Sequence, residues 1–341
     1  MKNSITNTRI FLQNAERIKT MIFDKIMLSV YKKALIKRLD IDDSVFLFDY
    51  TDFEGLKKEP YSFVSDTGAR LNGGFYYYDN PKVDKLIVFD HGMGAGHRPY
   101  MREIETICKA GYLVFSYDHE GTAGSEGKTI RGLTGSLHDL NVAINELKKT
   151  QYYEGREIIV IGHSWGGFST KNIVAFHPEV KKIVPISGFS SLELVVNGMV
   201  PNIFKSARKS IIAYEEAMNP GYTSVTAVDT IANSSAKALI CQSIDDPIVF
   251  SKDHFDPLKE AFSKNPSIRF ITVYDRGHNP NFTLKAVKLK DDFFAEKRAL
   301  EKKNKLKTSE QKSALIAKYD FWQMTEQDMD FWNQVFDFIE G

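Results

Sequence analysis

The chain has 341 residues, of which 43% are hydrophobic and 26% are charged, a balance typical of a globular protein with a large core. The formal net charge of +1 gives no overall attraction for polyanions, so nucleic acid is not expected as a partner. Two cysteines, Cys108 and Cys241, lie in apolar stretches. They predict buried thiols in a cytoplasmic protein and exclude a disulfide scaffold.

Residues 1–40 form a basic segment with nine Lys or Arg and three Asp or Glu. They lack the pattern of a signal peptide, and the longest apolar run is interrupted by Asp24 and Lys25 at about half the length of a membrane span. The apolar residues fall on nearly every face of a helix, which favours burial against the body over contact with a membrane surface or a partner. We therefore assign residues 1–58 to a helical N-terminal extension.

From residue 59 onward, strand patterns alternate with helix patterns. Residues 60–79 predict two strands around an Asp66-Thr67-Gly68 turn. Six further strands follow, most of them near-continuous apolar runs: residues 85–90, 112–118, 156–162, 180–187, 237–244 and 267–275. Helix-length segments separate several of these runs. The alternation predicts a mostly parallel sheet that follows an antiparallel hairpin, with helices on both faces.

The fifth predicted strand, residues 156–162, runs into Gly162-His163-Ser164-Trp165-Gly166, and a helix pattern follows. In such a sharp strand-to-helix turn the middle residue takes strained dihedrals, and its side chain projects above the sheet. Ser164 is therefore the candidate nucleophile.

A serine hydroxyl needs a histidine base and a carboxylate that orients the histidine. Of the eight histidines, His278 is our candidate base, because it follows a strand and should lie at the same sheet edge as Ser164. Asp245 and Asp246 follow the preceding strand and are both candidate acids. The order Ser, Asp, His is the order that this turn geometry uses.

Backbone amides must stabilise the oxyanion that forms during acyl transfer. The N–H of Trp165, directly after the nucleophile, is one candidate. The N–H of Met93, in the glycine-rich loop 91–96 after the strand 85–90, is the other. No His, Cys or carboxylate spacing suggests a metal site, and we expect no cofactor.

These motifs resemble the α/β-hydrolase family over residues 59–279 and the final helix. The similarity lies in HG-x-G at 91–94, YDHEGTAGSEG at 117–127, GHSWGG at 162–167, DDPIV at 245–249 and GH at 277–278. The resemblance implies the α/β-hydrolase fold, with Ser164 as nucleophile, His278 as base, and the Met93 and Trp165 amides as the oxyanion hole. Asp246 becomes the preferred acid, because the family acid precedes x-x-Val and Val249 satisfies this pattern.

The chain departs from the family pattern in two places. Gln242-Ser243 stands where the family usually has His-Gly, and Gly121 and Gly124 replace a Gly-x-Gly spacing. We expect neither departure to contact a reacting group.

Two insertions interrupt the predicted core of residues 59–188 and 237–341. Residues 189–236 predict a small helical cap above the serine. Most of its apolar side chains should pack the cap onto the core, and we select Met199, Phe204 and Tyr214, together with His163, as substrate-binding residues. Residues 283–319 are charged and helical, with few apolar residues, and we expect an outer hairpin in solvent. The alternative is a dimer or membrane contact formed with residues 1–40.

The leading function is hydrolysis of carboxylic esters with apolar acyl or aryl groups through an acyl-enzyme, by a monomer or homodimer. Trp165 after the serine is also similar to proline-specific peptidases, so a peptidase or amidase is the nearest alternative. A binding protein that has kept the fold without turnover is a third hypothesis, and the complete Ser-His-Asp set argues against it.

Overall fold

The computed structural model describes residues 21–341. Its strands are β1 (Lys57–Val64), β2 (Arg70–Tyr77), β3 (Lys85–Asp90), β4 (Leu113–Tyr117), β5 (Glu157–His163), β6 (Lys182–Ile186), β7 (Lys237–Ser243) and β8 (Ile268–Val273). They form one sheet in the order β1-β2-β4-β3-β5-β6-β7-β8. Only β2 pairs antiparallel with its neighbours β1 and β4, and the other pairs are parallel. The predicted mostly parallel sheet with an N-terminal hairpin is confirmed.

Helices connect the strands. They are α1 (21–35), α2 (Met101–Lys109), α3 (Gly135–Leu147), α4 (Trp165–Asn172), α5 (Leu192–Met199), α6 (Lys205–Met218), α7 (Ala227–Ala232), α8 (Ser251–His254), α9 (Asp256–Ala261), α10 (Leu284–Lys302), α11 (Ser309–Ile316), α12 (Phe321–Met324) and α13 (Met329–Glu340). Side chains of α3, α4 and α6 belong to the hydrophobic cluster on one face of the sheet, and those of α2, α10 and α13 belong to the cluster on the other. Because helices cover both faces, every residue of β3, β4 and β6 is buried.

The topology determines where a site can form. The loops that follow β3, β5, β7 and β8 all leave the carboxyl edge of the parallel strands. Ligand sites of such sheets lie at this edge, outside the ends of the strands. The four loops carry Met93, Ser164, Asp246 and His278 respectively.

Helix α1 packs on the cap region with one face only. Phe23 stacks on Phe204 of the cap, with 3.9 Å between ring centroids, and Tyr31 donates a hydrogen bond to Glu215. The opposite face is open to solvent, since four apolar side chains are each more than half exposed: Met21, Ile22, Ile26 and Val30. Residues 21–35 therefore pack against the body as expected, but with one face only, and residues 1–20 lie outside the described residues.

The charged segment 283–319 is not an outer hairpin in solvent. Phe293 of α10 is fully buried and Leu315 of α11 is 1% exposed, and both belong to the core cluster. The expectation failed because a few apolar residues suffice when they share one face of a helix. Ala286, Phe293 and Leu300 follow each other at seven-residue intervals along α10 and form such a face.

Both cysteines are buried free thiols, which confirms that part of the sequence analysis. Burial raises the pKa of the Cys241 thiol above its usual range, with a smaller opposing effect from Lys171. Within residues 21–341, no helix has the length and apolar character needed to span a membrane.

Candidate active site

Ser164 sits in the sharp turn between β5 and α4. Its φ of 58° and ψ of −110° are unfavourable for a residue with a side chain. The neighbouring glycines leave no room for a Cβ atom: one placed at Gly162 would lie 2.3 Å from the Gly166 carbonyl oxygen, and one at Gly166 would lie 2.0 Å from the Asp90 carbonyl oxygen. The turn can therefore form only with glycine at both positions, and it projects Ser164 from the sheet edge.

Three predicted side chains form one hydrogen-bonded chain. Ser164 Oγ lies 2.8 Å from His278 Nε2, and His278 Nδ1 lies 2.8 Å from Asp246 Oδ2. Ser164 and His278 are 114 positions apart in the sequence. In this arrangement the imidazole can accept the serine proton while the carboxylate holds its other nitrogen.

Asp246 is held by more groups than the sequence suggested. The carboxylate is 2% exposed, and its Oδ1 accepts hydrogen bonds from the amides of Ile248 and Val249, at 2.8 and 3.0 Å. Gln242 Nε2 donates to Oδ2 at 2.8 Å. Our expectation that the departure at Gln242 contacts no reacting group is wrong, because this side chain touches the oxygen that faces His278.

Asp245, the other candidate acid, lies in the same loop with a different set of contacts. Its carboxylate accepts hydrogen bonds from the Ser243 hydroxyl and, at 3.0 Å, from the Gly277 amide. These contacts fix the backbone directly before His278.

Met93 and Trp165, whose amides are the oxyanion candidates, both line the space beside Ser164. The Met93 N–H donates to no acceptor among the described residues. Trp165 is the first residue of α4, where a helix leaves its amides without intrahelical acceptors. The loop of Met93 comes close because of Gly92, where a Cβ atom would lie 3.2 Å from Ser164 Cβ and 2.2 Å from Tyr100 Oη.

His163 connects the serine turn to the histidine loop. Burial and the nearby His278 ring hold the pKa of His163 well below its usual range, so the ring is neutral. Its Nε2 lies 2.7 Å from the His278 carbonyl oxygen and must donate to it, so Nδ1 accepts from Tyr100 Oη at 3.0 Å. Both nitrogens are occupied. His163 nevertheless lines a cavity beside Ser164, so its predicted contact with substrate stays a prediction, with no ring nitrogen left for a polar contact.

A buried charged cluster lies behind the turn. His119 Nε2 is 3.1 Å from Asp90 Oδ1, and His119 Nδ1 is 3.3 Å from Asp139 Oδ2. Burial lowers the pKa of His119, but the two carboxylates outweigh burial and bring the pKa to about 9. Ser169 of α4 donates to Asp90, so the cluster connects α4 to the sheet. The sequence analysis missed it, and the only signal was three polar residues after β4, Asp118-His119-Glu120.

Two cavities meet at Ser164. The first, which we call the apolar cavity, has a volume of about 360 Å³ and is lined mainly by hydrophobic side chains such as Leu133, Phe189, Val195, Met199 and Ile248. The second, which we call the polar cavity, has a volume of about 500 Å³, and the residues that line it include Tyr100, Glu103, His278, Lys290 and Arg298. The structure thus provides two spaces with different side chains that both reach Ser164.

Of the three cap residues selected from the sequence, only Met199 lines a cavity at Ser164. Phe204 stacks on Phe23, and the ring of Tyr214 lies 3.9 Å from Lys32 Nζ. Both predictions were wrong because α1 occupies this side of the cap. The contact between α1 and the cap depends on the tertiary fold and leaves no local pattern in the sequence.

A family described as serine aminopeptidase, S33 (Hydrolase_4) matches residues 81–267, which is more than half of the chain. The chain belongs to this family of α/β hydrolases. The match begins just before β3 and ends just before β8, so it includes Ser164 and Asp246 but not His278.

Solved structures share the fold of this hydrolase. An esterase from Pyrococcus furiosus has 18% identity and a TM-score of 0.56, and the match covers 78% of this chain and 98% of the esterase. Est1E from Butyrivibrio proteoclasticus, with ferulic acid bound, has 17% identity and a TM-score of 0.52, over 70% of this chain and 99% of its own. An acetyl xylan esterase from Paenibacillus sp. R4 has 11% identity and a TM-score of 0.51, over 75% and 88%.

Proposed function

We propose that the hydrolase cleaves carboxylic esters by a serine mechanism through an acyl-enzyme. The observation that carries this proposal is the hydrogen-bonded chain from Ser164 through His278 to Asp246 at the carboxyl edge of the sheet. A receptor without turnover needs none of these three contacts, which makes a purely binding role the weaker hypothesis.

The proposed reaction has two steps. His278 Nε2 takes the proton of Ser164 as Oγ attacks the ester carbonyl, and it then gives that proton to the leaving alcohol. The amides of Met93 and Trp165 donate hydrogen bonds to the oxyanion of the tetrahedral intermediate. In the second step His278 takes a proton from water, which attacks the acyl carbonyl. The bond to Ser164 Oγ breaks, His278 returns the proton to this oxygen, and the acid is released.

The apolar cavity is the proposed site of the acyl group. It opens at Ser164 and contains the apolar side chains of Leu133, Phe189 and Met199. Such a space favours an aliphatic or aromatic acyl group through burial of apolar surface.

A peptidase or amidase is the second candidate, since the description of the matching family names an aminopeptidase. A series of p-nitrophenyl esters of increasing acyl length, compared with aminoacyl nitroanilides, separates the two activities. We expect the esters to be hydrolysed faster than the anilides. We expect Ser164→Ala to lower the rate of ester hydrolysis at least about a thousandfold. Faster turnover of the anilides would reject the esterase assignment.

A further inference from the structure

The polar cavity contains a buried glutamate that the proposed reaction does not use. Glu103 of α2 is 3% exposed and lines this cavity. Its Oε1 accepts a hydrogen bond from Asn281 Nδ2 at 3.2 Å, but its Oε2 is buried and has no hydrogen-bond partner among the described residues. A buried oxygen without a donor is unfavourable, and a ligand that supplies the donor recovers this free energy.

The position of the glutamate is fixed by a network from the C-terminal part of the chain. Asn281 Nδ2 also donates to Gln327 Oε1 at 2.9 Å, and Trp332 Nε1 donates to the same oxygen at 2.9 Å. Asn281, Gln327 and Trp332 are all buried. The glutamate is therefore held in one orientation, as a recognition group has to be.

Lys290 of α10 lines the same cavity without forming an ion pair with Glu103. Its Nζ donates to Asn279 Oδ1 at 2.9 Å and lies 4.9 Å from the centre of the Phe282 ring. An ammonium group has three N–H donors. Within residues 21–341, Lys290 Nζ donates one hydrogen bond, to Asn279. Its other N–H groups are therefore available to a ligand.

The pair of side chains restricts the chemistry of the ligand. The cavity lining carries charges of both signs, with the carboxylates of Glu103 and Asp291 and the cations of Arg276, Lys290 and Arg298, so neither an anion nor an ammonium group is matched by the whole cavity. A hydroxyl group both donates and accepts. Two neighbouring hydroxyls can therefore satisfy both sides of the cavity, one by donating to Glu103 Oε2 and the other by accepting from Lys290 Nζ.

We propose that the polar cavity binds the alcohol portion of the substrate, and that Glu103 and Lys290 select an alcohol with adjacent hydroxyl groups, as in a glyceryl or a sugar ester. This inference rests on the proposed ester hydrolysis and specifies its substrate class. The acyl group then occupies the apolar cavity, which also reaches Ser164.

Esters that share one acyl chain test the proposal. We measure kcat/KM for the ethyl, 2,3-dihydroxypropyl and 6-O-glucosyl esters. The quantity compared is the kcat/KM of each hydroxylated ester divided by the kcat/KM of the ethyl ester. At pH 8.5, where the Glu103 carboxylate is ionised, we expect a ratio of at least about ten for one of the hydroxylated esters in the wild type. We expect this ratio to fall about tenfold in Glu103→Leu and in Lys290→Met, which is the effect of losing one hydrogen bond to a charged group. The ester with the higher ratio distinguishes glycerol from sugar.

Glu105→Leu is the matched control. Glu105 is a buried glutamate of the same helix, but it contacts Lys109 and lies outside the polar cavity. The ratio of kcat/KM between the hydroxylated and ethyl esters should be the same in Glu105→Leu and in the wild type. The proposal is overturned if the wild type shows no preference for either hydroxylated ester, or if Glu103→Leu and Lys290→Met lower the rates of all three esters equally.

Failure of the esterase proposal gives a different result. If the wild type cleaves none of the esters, binding of the corresponding glyceryl and glucosyl alkyl ethers to Ser164→Ala, measured by calorimetry, becomes the test. Saturable binding that weakens at least about tenfold when Glu103→Leu is added supports the alcohol site. No binding, or equal binding with and without Glu103→Leu, overturns it and leaves the cavity as a water-filled space.

Discussion

At the scale of single residues, the carboxylate of Asp246 receives four hydrogen bonds, from Gln242, Ile248, Val249 and His278. Two of them come from backbone amides and survive any change of side chain. The contact from Gln242 is different, since it shares Oδ2 with His278. The Gln242 amide thus fixes the Asp246 oxygen that orients the His278 ring. Side chains that hydrogen-bond to metal ligands orient those ligands in the same way.

Gln242→Leu removes this contact while keeping a side chain of similar volume. We expect kcat to fall about tenfold or more, the effect of losing one hydrogen bond to a charged group, with a smaller change in KM. Steady-state kinetics with a p-nitrophenyl ester measure the change. Gln334→Leu, on the exposed side of α13, is the control and should keep the wild-type kcat. Equal kcat values for both variants would show that Gln242 does not position the acid.

Glu103 gives a prediction for the pH dependence of stability. Burial raises its pKa from an ordinary 4.5 to about 7. The folded protein therefore binds this proton more tightly than the unfolded chain, and the stabilisation is complete below about pH 4.5 and is lost as the pH rises to about 7. A shift of this size is worth about 3 kcal/mol.

Glu103→Gln removes the titrating group. Its free energy of unfolding should exceed that of the wild type by up to about 3 kcal/mol at pH 8.5, and the difference should vanish at pH 4.5. Urea unfolding of both proteins at the two pH values measures it. A difference that does not change with pH would contradict the raised pKa.

The residues that sequence analysis placed best are those tied to the end of a strand. Ser164, His278 and Asp246 each follow an apolar run, and parallel strands bring such positions to one edge. Phe204 and Tyr214 were placed wrongly, because their contacts with α1 depend on the assembled fold. Glu103 gave no signal, since a glutamate in an amphipathic helix looks the same whether its face meets solvent or a cavity.

At the scale of elements, α10 shows how composition can mislead. The helix is rich in lysine and acidic residues, yet it forms one wall of the polar cavity through Val287, Lys290 and Phe294 and is attached to the core by Phe293. Phe293 contacts the rings of Phe294, Tyr319 and Phe321, with centroids between 5.1 and 5.3 Å from its own.

Phe293→Ala tests this attachment. Truncation of a fully buried phenylalanine should cost about 3–5 kcal/mol in the free energy of unfolding. Leu284→Ala, on the same helix at a side chain that is 53% exposed, should change it by less than about 0.5 kcal/mol. Urea unfolding compares the two variants. A small loss for Phe293→Ala would mean that the segment is attached more loosely than the structure describes.

Helix α1 is the second element that the sequence did not settle. Apolar residues on nearly every face predicted burial against the body, and the structure shows that only the face carrying Phe23 and Tyr31 is covered. The covered face matters for the site, since Leu35 at the end of α1 lines the apolar cavity. A pattern without a polar face cannot show which side a helix buries, and only the shape of the cap decides it.

At the scale of the whole molecule, the fold could be predicted because the strand and helix signals alternate and follow simple rules of handedness and pairing. The same rules placed Ser164, His278 and Asp246 at one edge of the sheet. They could not predict the two cavities, since each is enclosed by elements distant in sequence: α2, α5, α10 and the loop after β7. The proposed reaction therefore rests on positions that the sequence predicts, and the proposed substrate rests on cavities that only the tertiary structure shows.

Covalent labelling by a fluorophosphonate, followed by peptide mass spectrometry, tests the central claim that Ser164 is activated by His278. We expect one modified peptide, with the label on Ser164, no label in Ser164→Ala, and labelling slowed at least about a thousandfold in His278→Ala. A wild-type protein that remains unlabelled, or that is labelled at the same rate in His278→Ala, would contradict the account.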